Sequence, residues 1–521
     1  MFGRWLLACR RGSTPSRMAV PRRAYATGPK TEFSKGERTS PTAAASWSRF
    51  GKRLGLPVQL LVLGSTALYI DHRTSSAQKR GLSLLLNEQS SQMPDYSPPG
   101  IDVSSGYPFQ HARPLTPKQV TAQLNRTTWA HLAAEATGAV AYYGAQVGAN
   151  DPCEDFYVHG TFPSPLSDQG GSKPGAGMWY AWGVFDGHIG AETARALSRS
   201  LVPYTAYHLS KATAGSPEAA IKDAFKALDD TFIHTAAAAV RDASLSFAEK
   251  MARLVQASNG SCAIFALYDP GARTLRVACT GDSRAVLGVE AGATWTAQPL
   301  SEDQGGASPK EQARIAALHP PAETAPESGL FKNGRVLGLM CSRAFGDLHW
   351  KFSADVLAEA KDRYAADRYR AYDSARFATP PYLTAEPEVT TTRLARGRRA
   401  FLILASDGLW DEMSSEQAVE LVAQWIDWRD GVAAAKGPPA TAEPEGGGEQ
   451  EGTFDLRGSD GIPLRYNPQN KVFQDANPAV HLIRNALGGS HHDRVSGVLG
   501  LKAPFSRETR DDITVQVVFF E

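Results

Sequence analysis

Cysteine is scarce and scattered. Cys9, Cys153, Cys262, Cys279 and Cys341 are the only five in 521 residues, and no two of them form a CxxC pair. That spacing indicates neither a disulfide framework nor a zinc site, and it predicts buried free thiols. Excess charge is missing too: 55 basic side chains against 54 acidic ones leave a formal net charge of +1. With no stripe of arginine and aromatic residues either, there is no electrostatic footprint for nucleic acid. The remaining composition, 42% hydrophobic and 21% charged, describes a globular chain able to bury a core. The length suits two or three average domains, or one large domain with appendages.

A local absence says more. Residues 1–30 hold Arg4, Arg10, Arg11, Arg17, Arg22 and Arg23 but no acid, the first being Glu32. This is the composition of a mitochondrial transit peptide, and Arg23-Ala24-Tyr25-Ala26 predicts cleavage after Tyr25. A disordered basic tail is the plain alternative. After a polar spacer at 31–53, residues 54–70, LGLPVQLLVLGSTALYI, lie between Lys52-Arg53 and Asp71-His72-Arg73. The run is at the short limit for a spanning helix, and Pro57 stands near its start, where a helix tolerates it. An inner-membrane anchor is the expectation; a helix packed on the domain, or a sorting signal removed on import, fits the same residues. Residues 71–127 read as a linker and approach segment ending in a short helix at 117–124, with Thr116 and Gln119 forming a capping box.

The rest, 128–521, is organised around WGVFDGHIG at 182–190, where an apolar run breaks off in Asp186-Gly187-His188. The run reads as a buried strand, so the turn lifts a carboxylate and an imidazole out of the sheet edge. Gly187 lets its carbonyl approach a ligand closely. An Asp beside a carbonyl oxygen offers hard ligands to Mg²⁺ or Mn²⁺. The design recurs: FLILA at 401–405 ends in Ser406-Asp407-Gly408, Glu154-Asp155 follow a strand-like run, and Asp511-Asp512 open another. Asp282 sits in the break Gly281-Asp282-Ser283, after two β-rich runs joined by an Asp-Pro-Gly turn. Those runs make a hairpin and imply an antiparallel sheet, and Asp282 there either caps a turn or binds metal.

Helices are expected over 191–201 and 217–254, the second long or broken in two. Another runs from Pro309 to about Leu318, with Ser308 and Glu311 as a capping box, and a further one opens at Ser414 and Gln417. Two insertions interrupt the domain. One, near 353–378, is charged, Ala-rich and helical; the other, near 431–465, is low in complexity and reads as a disordered surface segment.

A sheet gathers neighbouring strand ends into one edge, which brings Glu154, Asp186, Asp407 and Asp511 together. Clustered carboxylates repel unless cations sit among them. A pair of divalent ions, roughly 3.5–4 Å apart, activates a bridging water and clamps a phosphoryl oxygen, which suits hydrolysis of a phosphate ester. His188 is then placed to protonate the leaving alkoxide.

WGVFDGHIG, TGDSRAVLG, SRAFGD, SDGLWD and RDDITV, in this order, resemble the motifs of the metal-dependent protein serine/threonine phosphatases of the type 2C family. The resemblance covers roughly 128–520 apart from the insertions. It implies an α+β fold, a four-layer αββα sandwich of two antiparallel sheets flanked by helices, with the metal centre at one edge. It implies that two Mg²⁺ or Mn²⁺ ions are held by Asp186, Asp407 and Asp511, by the Gly187 carbonyl, and by Glu154 through water. Asp186 and His188 are the implied catalytic residues, and Asp282, with Asp347 farther out, matches positions that serve a weaker third metal.

Three departures stand out. Asn150 lies four residues before Glu154, where many members carry a phosphate-binding Arg; Asp512 replaces the commoner Asn; Gln304 replaces the usual His. Asn150 and RDDITV resemble the pyruvate dehydrogenase phosphatase branch. With residues 1–30, this implies a mitochondrial enzyme acting on the phosphorylated pyruvate dehydrogenase complex, the side of the inner membrane being open. The alternative from another class is a non-catalytic family member that binds a partner.

Overall fold

The computed structural model describes residues 114–132, 140–165, 177–212, 216–353, 355–359, 376–434 and 466–520. The expected transit peptide, spacer and anchor lie outside these residues, as do nearly all of the linker before the 117–124 helix and most of both insertions. Among the described residues no helix is long and apolar enough to cross a membrane.

Two antiparallel sheets form the centre. One has six strands in the spatial order Thr127–His131, Ala141–Val147, Ile513–Phe520, Ala400–Ala405, Arg284–Ala291 and Thr294–Pro299. The other has five: Glu388–Arg393, Thr274–Thr280, Ala263–Asp269, Met178–Phe185 and Phe156–Pro163. The central strands read as unbroken apolar runs because both their faces are covered. In Ala400–Ala405, Phe401 and Ile403 face helices while Leu402 and Leu404 face the other sheet. Met178–Phe185 divides likewise, Trp179 and Phe185 toward helices, Trp182 and Val184 toward the facing sheet. Each such side chain contributes about 1.5–3 kcal/mol by leaving water.

Helices Ser415–Ala434 and Pro478–Ala486 cover the six-stranded sheet. Glu192–Lys211 covers the five-stranded sheet, with Pro217–Arg241 and Phe247–Ser258 packed alongside. Four layers result, αββα, as the motifs implied. The capping box of Thr116 and Gln119 forms, and so does that of Ser414 and Gln417.

Elsewhere the chain departs from its local signals. The helix expected over 191–201 continues through Pro203 to Lys211, held down by Leu197, Leu201, Thr205 and Leu209 on its buried face. The 217–254 stretch does break: the Asp242 carboxylate accepts from Ser244 N, and Ser246 and Glu249 begin a new helix with a capping box. The run around Asp282 holds two strands in different sheets, parted at Gly281, whose φ of +104° few other residues adopt. Ser308 caps its helix, which ends at Ala316, but Glu311 makes no capping box. Its carboxylate turns inward instead and accepts from Ser342, Arg314 and the buried Arg343.

Candidate metal centre

Antiparallel pairing decides where the acids meet. Ala405 is registered with both Val515 and Arg284, Ile513 with Val147, Phe185 with Phe156, and Ala263 with Thr280. The end of Ala400–Ala405, the start of Ile513–Phe520 and the end of Ala141–Val147 therefore share one edge of the six-stranded sheet. In the other sheet, the end of Met178–Phe185 adjoins the start of Phe156–Pro163. Asp407, Asp511, Glu154 and Asp186 follow or precede these ends by one or two residues.

Two glycines let the turns nest. A Cβ on Gly187 would lie 2.4 Å from the Glu154 carbonyl oxygen, and one on Gly408 would lie 2.2 Å from that of Asp512. The Asp186 turn is thus pressed on the Glu154 segment, and the Asp407 turn on Asp511-Asp512. Below them the buried Asp155 carboxylate accepts from Ser406 Oγ at 2.8 Å and Thr514 Oγ1 at 2.7 Å, joining three of the segments.

Carboxylate oxygens of Asp186, Asp282 and Asp407 lie within 4.8 Å of one another. Asp186 Oδ2 and Asp407 Oδ1 are buried without a hydrogen-bond donor among the described residues. Burial first, and then the neighbouring acids, hold both carboxyls well above the usual range; Asp282 and Asp511 are raised as well, chiefly by burial. Unpartnered oxygens in a crowded acid cluster are the environment a hard divalent cation satisfies, so the residues present fit Mg²⁺ or Mn²⁺.

His188 stands beside this cluster on a small three-stranded sheet, separate from the two large ones, where Gly187-His188 pairs with Gly260-Ser261, itself paired with Phe345-Gly346. Its Nε2 lies 2.8 Å from Oδ2 of the fully buried Asp347. Gly260 makes the pair possible, since a Cβ there would fall 1.9 Å from His188 Nε2. Burial pulls the imidazole down, but the Asp347 charge outweighs it and raises the pKa to about 10. Asp347 is thus taken up by His188, whereas Asp282 is the outer acid that joins Asp186 and Asp407.

Three features escaped sequence reasoning. Asp512 is the anchor of the acid-bearing loop: its carboxylate accepts from Asn150 N at 2.9 Å, Asn150 Nδ2 at 3.0 Å and Glu154 N at 2.8 Å. Arg507 pairs with Asp511 and is about half exposed at the same edge; its i,i+4 spacing from Asp511 was the signal available. Finally, Cys262 and Cys341, far apart in sequence, come together next to His188. Other motif residues are structural. Arg284 of TGDSR binds Asp303 and lies over the Trp410 ring, and Arg343 of SRAFGD binds Glu311.

Comparison with known proteins agrees with this architecture. Residues 160–438, over half of the chain, match the family model of protein phosphatase 2C. A protein phosphatase 2C homolog of Schizosaccharomyces pombe is 38% identical over 392 residues, spanning 72% of this chain and 79% of its own. The mitochondrial pyruvate dehydrogenase (acetyl-transferring)-phosphatase 1 of Saccharomyces cerevisiae is 32% identical over 455 residues, spanning 82% of this chain and 77% of its own. The human phosphatase 1 of that name is 37% identical over 259 residues, 47% of this chain and 45% of its own. Motifs, sandwich and relatives agree, and the chain belongs to the protein phosphatase 2C family, as a metal-dependent protein serine/threonine phosphatase.

Proposed function

We propose that the chain removes phosphate from serine or threonine of the phosphorylated pyruvate dehydrogenase complex in mitochondria. The observation that carries the chemistry is the acid cluster with its donor-free buried oxygens, beside an imidazole buttressed by Asp347. Asp186, Asp407, Asp511 and the Gly187 carbonyl would hold two Mg²⁺ or Mn²⁺ ions, Glu154 would join through water, and Asp282 would serve a weaker third. When bound, such ions lower the pKa of a water and neutralise phosphoryl charge. The chain's own part is to orient and to move protons. His188, held by Asp347, gives its proton to the departing serine or threonine oxygen. Arg507 supplies the cation for phosphate that Asn150 cannot, because a guanidinium matches phosphate oxygens in a fork. The complete acid set argues against the non-catalytic alternative.

The substrate and compartment rest on the two phosphatases named above and on the Arg-rich, acid-free residues 1–30. The apolar run at 54–70 would tether the domain to the inner membrane. The test is phosphate release from phosphorylated pyruvate dehydrogenase with Mg²⁺, set against an unrelated phosphoprotein, together with protease protection of the full chain in mitochondria and mitoplasts. Preferential release and protection in mitoplasts support the reading. Digestion in mitoplasts alone puts the domain outside the matrix and removes this substrate.

A further inference from the structure

Outside the hard acid cluster lies a second group of ligand atoms of different chemistry. The Cys262 and Cys341 thiols and one imidazole nitrogen of His188 lie within 4.8 Å of one another. Both thiols are buried, at 3% exposure, and free. Gly281 makes room for one of them, since a Cβ there would lie 2.2 Å from Cys262 Sγ. Cys262 Sγ also lies 3.1 Å from Asp282 Oδ1. Two sulfurs, an imidazole and a carboxylate thus converge from four separate segments. His188, with 23% of its side chain exposed, is the way in.

We propose that Cys262, Cys341 and His188, with Asp282 as fourth ligand, form a site for a soft divalent cation of the zinc class that shuts off the phosphatase. Zinc takes four ligands in a tetrahedron, with Zn–S about 2.3 Å and Zn–N or Zn–O about 2.0–2.1 Å. Those lengths put neighbouring ligand atoms roughly 3.3–3.8 Å apart. The group of His188, Cys262 and Cys341, within 4.8 Å, needs a contraction of about 1.3 Å at most, within reach of small cysteine χ1 rotations, and Asp282 Oδ1 already lies 3.1 Å from one of the sulfurs. Each thiol gives up its proton as the metal binds, so two sulfur–hydrogen bonds are replaced by two sulfur–metal bonds and two protons leave to solvent. Thiolate and imidazole select zinc, whereas the all-oxygen cluster of Asp186 and Asp407 suits Mg²⁺ or Mn²⁺, so the two sites are told apart by ligand softness. The functional consequence follows from the shared residues. A metal on His188 removes the proton donor from the reaction, and one on Asp282 draws that acid from the cluster it shares with Asp186 and Asp407. The proposal rests on the proposed role of His188 for its effect on turnover, but not for the binding itself.

The test uses the full chain saturated with Mg²⁺ and Co²⁺ as a spectroscopic stand-in for zinc. One equivalent of Co²⁺ should give sulfur-to-cobalt charge-transfer absorption that one equivalent of Zn²⁺ bleaches. Cobalt among the aspartates gives no such band, so the two sites are separated in one spectrum. Cys341→Ser should keep Mg²⁺-dependent turnover, lose the band, and need at least about tenfold more Zn²⁺ for half-inhibition. Absence of the band in the wild-type chain overturns the site, and this reading does not depend on whether a variant folds. An unchanged band in both Cys341→Ser and Cys262→Ser overturns the ligand assignment. A band without inhibition overturns the switch. Failure of the phosphatase reading would show separately, as no turnover with Mg²⁺ in zinc-free buffer.

Discussion

Replacing Asp407 by Asn should abolish activity yet stabilise the metal-free protein. At the outer separation of 4.8 Å, two carboxylate charges repel by about 3.5 kcal/mol at an effective dielectric constant of roughly 20. Asp407 faces both Asp186 and Asp282, so full ionisation of all three would cost about 7 kcal/mol in pairs that the substitution removes. Proton uptake relieves part of this, as the raised carboxyls indicate, and a net gain of about 2–3 kcal/mol is expected. At about 2 °C per kcal/mol for a large domain, Asp407→Asn should melt about 4–6 °C above the wild type in EDTA.

The sign of the pH dependence is fixed. A carboxyl raised on folding contributes fully below its unfolded pKa and costs stability as pH rises through its folded one. The variant's advantage therefore grows as pH rises from about 4. Mg²⁺ should level the two at about a hundred times its Kd, where it adds about 2.7 kcal/mol to the protein that binds it, and reverse the order at about a thousand times, where it adds about 4.1 kcal/mol. Differential scanning calorimetry with EDTA and with Mg²⁺ measures both. A variant that melts lower in EDTA, or equal Mg²⁺ shifts in both proteins, would refute the reasoning.

His188→Ala should slow release from a phosphoserine peptide, whose alkoxide leaves poorly, about a hundredfold or more, and an activated aryl phosphate far less; equal losses on both substrates would count against proton donation. Arg507→Ala should raise KM for a phosphopeptide about tenfold, the worth of one charge-assisted bond, with Arg507→Lys recovering only part of the loss; steady-state kinetics decides. Glu311→Gln should destabilise the fold by about 3 kcal/mol by leaving the buried Arg343 short of its charge partner, read from urea midpoints at neutral pH. Against its burial, Arg343 and Arg314 hold the Glu311 carboxyl down at about 2. Its contribution is thus complete above about 4.5 and lost as pH falls through about 2, so the difference between variant and wild type should vanish in that window.

The parts of the site legible in sequence are those written in contiguous residues. Asp186 and Asp407 each end an apolar run and precede a glycine, so strand, break and ligand could be read together. The hinge at Gly281, by contrast, hides a change of sheet, because both flanking strands are apolar whichever sheet they join. Glu311 satisfies a helix-start pattern but finds a stronger partner in Arg343, and tertiary pairing overrides the local cap. The His188–Asp347 pair depends on the small three-stranded sheet, which rests on two-residue strands too short to leave a periodic signature, and Cys341 is held by an isolated bridge to Gly305 that leaves none either. Scattered cysteines excluded a spaced zinc motif, but spacing says nothing about thiols brought together from distant segments by the fold.

The departures from the commoner family pattern make sense as one rearrangement of charge. Asp512 sits directly under the loop that carries position 150, taking two hydrogen bonds from Asn150 and one from Glu154 N. An arginine at 150 would meet that carboxylate at once, and the buried ion pair would hold the guanidinium down on the loop, away from a substrate phosphate. With an uncharged Asn at 512, an arginine at 150 would be free to reach outward. The two substitutions therefore belong together: once Asp512 is chosen as the loop anchor, a neutral amide at 150 both satisfies it and places its Nδ2 3.1 Å from Glu154. The positive charge would then have to come from elsewhere at the same edge, and Arg507, four residues before Asp511 and paired with it, is placed to provide it. Arg507 pairs with a carboxylate that a bound cation would claim, so loading the metal centre would free the guanidinium where phosphate arrives.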